Sequence, residues 1–140
     1  MKRESLETIE LELAVLIRHI TSIVQNKKNI GNLDRSAYLL LRQIDRRGSA
    51  GVKALAEEFL LDISTVSRQT AALESKGYVV RTPDPDDGRA CSFEITELGA
   101  KEMEDCRQAR LDRLTEKLKE WTDEESIDFG KLLEKFNRTF

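Results

Sequence analysis

The chain has 140 residues, of which 23 are basic, 26 acidic and one histidine, for a net charge of −3 at pH 7. Apolar residues make up 39% and charged residues 35%, against roughly 25% charged in ordinary globular chains, with only 7 Gly and 2 Pro. That balance excludes an all-β sandwich and a Pro/Gly-rich disordered chain, and no apolar run approaches the roughly 20 residues of a membrane span.

The first segment repeats Leu6, Ile9, Leu13, Ile17, Ile20 and Val24 at steps of three and four, the stripe of a long amphipathic helix. Its start turns acidic at Glu4 and Glu7 where a signal peptide would be apolar, so a soluble cytoplasmic protein is expected. The stripe runs out at Gln25–Asn29, with Ile30-Gly31-Asn32 as a stop. Asp34 caps a second helix with Ala37, Leu40, Leu41 and Ile44 on its apolar face, and Gly48-Ser49-Ala50-Gly51 breaks it. Val52–Leu60 reads as a short helix with Leu55, Ala56 and Phe59 on one side. After the tight connection Leu61-Asp62, with Asp62 placed to cap, a helix over Ile63–Lys76 ends at Gly77. Helix, very short turn, helix is the order of a helix-turn-helix.

The period then changes. Tyr78–Thr82 and Cys91–Ile95 are β-rich, the second alternating Cys91, Phe93 and Ile95 on an inward face. Between them Pro83–Ala90 carries the hairpin dipeptide Asp87-Gly88. A hairpin directly after a helix-turn-helix is a wing. Thr96 caps a long helix whose stripe includes Met103, Leu111, Leu114, Leu118 and Trp121, with Cys106 near it. Thr122 and Glu125 form a capping box opening a last helix with Ile127, Phe129, Leu132, Leu133, Phe136 and Phe140. The fold expected is mostly α with a small β-wing: a winged helix-turn-helix core flanked by long N- and C-terminal dimerisation helices. One domain is expected over residues 1–140, with a winged helix-turn-helix module at about 34–96 and helical dimerisation regions at 1–33 and 97–140.

No third of the chain is basic, so any contact with nucleic acid must come from a few placed arginines rather than a charged patch. On the helix Ile63–Lys76, residues Ile63, Val66, Gln69, Thr70 and Leu73 cluster on one side at 100° per residue and form the inward face. The other side presents Ser64, Arg68, Ala71 and Ser75, flanked by Thr65, Ser67 and Ala72. Such a slender polar ridge suits a major groove: small side chains let the backbone approach, hydroxyls reach phosphates or base edges, and Arg68 can pair with guanine. Ala71 or Ala72 can meet a thymine methyl. Arg89, just beyond the hairpin tip and held extended by Asp87, suits a minor groove.

Leu55–Arg68, Leu73–Arg81, the wing Asp84-Pro85-Asp86-Asp87-Gly88-Arg89 and the following Ile95-Thr96-Glu97-Leu98-Gly99 resemble the MarR family of winged-helix transcriptional regulators. The likeness extends over essentially the whole chain. It implies that Ser64, Thr65, Ser67 and Arg68 contact the major groove and that Arg89, oriented by Asp87, reads the minor groove. It further implies a homodimer acting as a sequence-specific repressor, commonly released by a small ligand or by oxidation. The family's peroxide sensors carry a cysteine in the first helix, which has none here, so DNA binding insensitive to peroxide is expected.

Dimerisation has separate support, because the apolar residues in the last 12 positions would be poorly buried by one chain. Burying each is worth roughly 1.5–3 kcal/mol, which calls for a partner surface. Two-fold pairing sets two recognition helices about one DNA turn apart and requires a palindromic operator. The resemblance also implies an effector pocket between the dimer helices and the module, where either His19 or Arg42 could bind a carboxylate or phenolic ligand. Cys91 and Cys106 have no metal-ligand spacing and read as core residues; no metal and no cofactor are expected. One histidine and no nucleophile elbow, P-loop or dinucleotide fingerprint argue against an enzyme. The remaining alternative is a winged-helix protein-interaction module without DNA binding, which the acidic balance favours.

Overall fold

The computed structural model describes residues 1–25, 33–84 and 90–140, with residues 22–25 described by their backbone alone. In chain order the elements are α1 (Arg3–Gln25), α2 (Arg35–Arg47), β1 (Ala50–Gly51), α3 (Val52–Phe59), α4 (Ile63–Ser75), β2 (Val79–Pro83), β3 (Cys91–Ile95), α5 (Glu97–Lys117) and α6 (Asp123–Asn137). The mostly helical architecture with a small antiparallel sheet agrees with the fold expected.

Helix starts follow the capping chemistry. Asp34 accepts from the Ala37 N–H at 2.8 Å, Thr96 from the Gly99 N–H at 3.0 Å, and Thr122 and Glu125 complete a reciprocal box at 3.2 and 3.0 Å. Asp62 departs from expectation. Its backbone is extended as an N-cap requires, but its side chain makes no cap hydrogen bond. The first turn of α4 is open to water, with Ile63 and Ser64 both exposed, so solvent is available to its orphan N–H groups. At the other end of α4, Gly77 has φ +80°. Its N–H bonds the Glu74 carbonyl at 2.9 Å while the Tyr78 N–H bonds that of Leu73 at 2.9 Å. This pair of bonds is a Schellman termination, and the left-handed residue it needs is the glycine.

The sheet has the order β1-β3-β2, antiparallel throughout. Strands β2 and β3 form the hairpin, in register from Val79↔Ile95 to Pro83↔Cys91, and Asp84 N–H still reaches the Ala90 carbonyl at 3.1 Å. The two-residue β1, in a stretch read from sequence only as a helix breaker, pairs Ala50 with Phe93 and Gly51 with Ser92. No periodicity exists over two residues; the strand is defined by its neighbour.

The core gathers Leu33, Tyr38, Leu40, Leu41 and Ile44 around α2, Leu55 and Ala56 of α3, Val66 and Leu73 of α4, Val79 and Phe93 of the hairpin, and Met103 and Cys106 of α5. Among the described residues it draws none from α1 or α6. Burial of Cys106 agrees with the sequence reading, whereas Cys91 is exposed. Alternation placed Cys91 on the face of Phe93 correctly, but the core ends beneath Phe93, and Cys91 lies beyond it opposite Pro83.

Outside this core the apolar stripes of the end helices remain open. Leu6, Ile9 and Ile17 of α1, Leu111 and Leu114 of α5, and Ile127, Phe129, Leu132, Leu133 and Phe136 of α6 are all exposed. The chain exposes 10850 Å², against roughly 7,400 Å² for a compact monomer of this mass. Among the described residues, no helix is long and apolar enough to cross a membrane.

Candidate nucleic-acid interface

Helix α4 divides sharply into two faces. Val66 and Thr70 are fully buried and Leu73 nearly so, packed toward α2, α3 and β2. The Thr70 hydroxyl turns back on its own helix, donating to the Val66 carbonyl at 2.8 Å, which satisfies the polar atom in the core. On the other face Ser64, Ser67, Arg68, Ala71, Ala72 and Ser75 are exposed and Thr65 is half-buried. Among the described residues Arg68 has no ion-pair partner, so its guanidinium donors are available to a ligand. The ridge foreseen from sequence is therefore assembled on a helix that the core holds firmly.

The hairpin leaves the body beside α4, and Arg81 ties the two together. Its Nε donates to the Glu74 carboxylate at 3.0 and 3.1 Å, and its guanidinium carbon lies 5.4 Å from the centroid of the Phe93 ring. Glu74, with a smaller contribution from Cys91, pushes the Arg81 pKa up. Asp87 and Arg89 lie outside the described residues. At the root of the hairpin, Thr96 donates to the Gly77 carbonyl at 2.6 Å while capping α5. Gly99 packs so closely that a Cβ there would sit 2.1 Å from the Tyr78 carbonyl oxygen. Helix α4, the hairpin and α5 thus meet at one close-packed junction.

Comparison with known proteins agrees with this geometry. The family model described as MarR family matches residues 33–91. An HTH-type transcriptional regulator of Bacillus subtilis, YxaD, itself described as uncharacterized, is 51% identical over 134 residues, covering 96% of this chain and 94% of its own. The chain belongs to the MarR family. It is accordingly a DNA-binding transcriptional regulator. A MarR family protein from Bacillus stearothermophilus superimposes with a TM-score of 0.80 at 19% identity, over 99% of this chain and 97% of the other. Wild-type MarR of Escherichia coli in its apo form gives 0.66 at 26% identity, over 86% and 96%.

Measured on this MarR-family chain, one assignment of the inward face of α4 fails. Ile63 is 56% exposed. It stands in the first turn, beyond the end of the core, so helical phase alone misplaces it. Sequence reasoning also missed Lys53, exposed near the start of α3, and Arg81; with Ile63, Ser67 and Cys91 they line a cleft of about 700 Å³ between α3, α4 and the hairpin. Arg81 stands in the run Leu73–Arg81 that carries the family likeness, but its pairing with Glu74 could not be read from sequence because the two belong to different elements.

The two residues put forward for an effector are placed differently. His19 is exposed on α1. Arg42 donates from Nη1 to the Tyr38 hydroxyl at 2.8 Å, and Arg110 of α5 stacks on the same ring at 4.6 Å, with its Nε buried and without a hydrogen-bond partner among the described residues. Arg110 was not anticipated; the spacing of Tyr38 and Arg42 by one helical turn was the only available clue.

Proposed function

We propose that the protein is a repressor that binds a palindromic operator as a homodimer. Residues 34–96 are the DNA-binding module in this reading, and 1–33 and 97–140 the dimerisation region. Ser64, Thr65, Ser67, Arg68, Ala71 and Ala72 enter the major groove; Arg89, oriented by Asp87, reads the minor groove. The observation that carries the reading is the exposed ridge of α4, with Arg68 free of ion pairs among the described residues, on a helix whose opposite side is fixed in the core. Dimerisation is supported by the open apolar surface of α1, α5 and α6. Two recognition helices about one DNA turn apart then require a site with two-fold symmetry.

Release of the operator is assigned to a carboxylate or phenolic small molecule held by His19 and Arg42. The support is cationic: Arg42 and Arg110 converge on Tyr38, and a negative ligand compensates two neighbouring positive charges.

Selection of bound sequences from random DNA with the full-length protein tests the central claim. The expected product is a palindrome, bound with an affinity that falls steeply as salt rises through counterion release. Recovery of asymmetric or random sequences with no salt dependence contradicts it.

A further inference from the structure

We propose that Ile63 is a specificity-determining residue of the DNA interface, reading the C5-methyl group of a thymine in the major groove; this rests on α4 being the recognition helix. Helical phase groups Ile63 with Val66 and Leu73, yet the structure leaves it 56% exposed while those two are buried. It is the first residue of α4, and in helix-turn-helix proteins the N-terminal residues of the second helix are those that contact base edges. Ile63 and Ser67, one turn apart, line the α4 side of the cleft together with Thr70, faced by Lys53 and Arg81. The apolar side chain therefore stands in a cleft of mixed charge, where Lys53, Arg81 and Ser67 are suited to phosphates and polar base edges and Glu57 and Asp84 also line the wall.

A branched aliphatic side chain held in water at that position gains by being covered. On the major-groove edge of a base pair, the thymine C5-methyl is the apolar feature that can cover it. Ser64, Ser67 and Arg68 supply hydrogen bonds but no apolar surface of comparable reach, and Ala71 and Ala72 lie two turns further along the helix. Neither cytosine nor uracil offers the methyl, so the contact discriminates by the presence of a single carbon.

The test uses the full chain and the sequence it selects from random DNA. Each thymine of that sequence is replaced, in symmetry-related pairs, by deoxyuridine, which removes one methyl and leaves the hydrogen-bonding edge intact. One such pair is expected to weaken wild-type binding about fourfold per half-site. Ile63→Ser should bind the two DNAs equally, with an unchanged melting temperature because the side chain is exposed, while Ile63→Val keeps most of the dependence. If no thymine is methyl-sensitive, or if the sensitivity persists in Ile63→Ser, the proposal is overturned. Failure to select any preferred sequence instead overturns the reading of α4, and the proposal with it.

Discussion

Two residues show how single atoms govern this interface. Gly99 has no Cβ because the Tyr78 carbonyl occupies the place one would take, 2.1 Å away, with the Ile95 side chain at 3.0 Å. Gly99→Ala forces the start of α5 away from the hairpin and should destabilise the protein by about 2–3 kcal/mol in chemical denaturation; a variant as stable as wild type would show that the junction yields easily. Arg68 is an exposed guanidinium on a helix anchored behind it. Arg68→Ala is expected to cost about 1–3 kcal/mol of discrimination at one base pair, read as relaxation of a single position in the selected sequence. A uniform loss across all sequences would instead assign Arg68 to phosphate.

Among the elements, the ends of α3 and α4 make an informative pair. Both terminate through a residue in the left-handed region, Gly77 after α4 and Leu60 after α3, the latter at φ +54°. Leu60 carries a Cβ where this conformation disfavours one, at a cost of about 1–2 kcal/mol, and its side chain is 73% exposed, so little burial offsets that cost. Leu60→Gly should therefore leave stability unchanged or raise it, by up to about 1 kcal/mol, despite removing a whole side chain; a lowered melting temperature would reveal a packing role for Leu60. The turn retains its geometry because the Leu61 N–H still bonds the Ala56 carbonyl at 3.0 Å.

For the whole molecule the decisive quantity is apolar surface. Trp121 stacks edge-on with Phe129 at 5.3 Å, and Phe136 with Phe140 at 5.5 Å, yet these pairs remain exposed within one chain. In the proposed dimer they are covered, which makes Leu132→Glu a clean probe: its side chain is 63% exposed in the single chain. The variant should keep its helical content while sedimenting as a protomer at micromolar concentration, with operator affinity reduced at least about tenfold as the second recognition helix is lost. A Leu132→Glu protein that remains dimeric would move the interface elsewhere.

What the sequence determined by itself was everything set by hydrogen bonds and periodicity within one turn or one stripe. Asp34, Thr96 and the Thr122–Glu125 box mark helix starts, Gly77 marks a stop, and the ridge of Ser64, Ser67, Arg68, Ala71 and Ala72 follows from helical phase. Each of those features is stabilised by neighbours close in the chain. Tertiary structure alone decided where the core stops. Ile63 and Cys91 share a face with buried residues but extend past the edge of what covers that face, and β1 exists only because β3 lies beside it. The convergence of Arg42 and Arg110 on Tyr38, like the Arg81–Glu74 pairing, joins elements whose relative placement no local pattern encodes, because burial and pairing depend on neighbours contributed by distant segments.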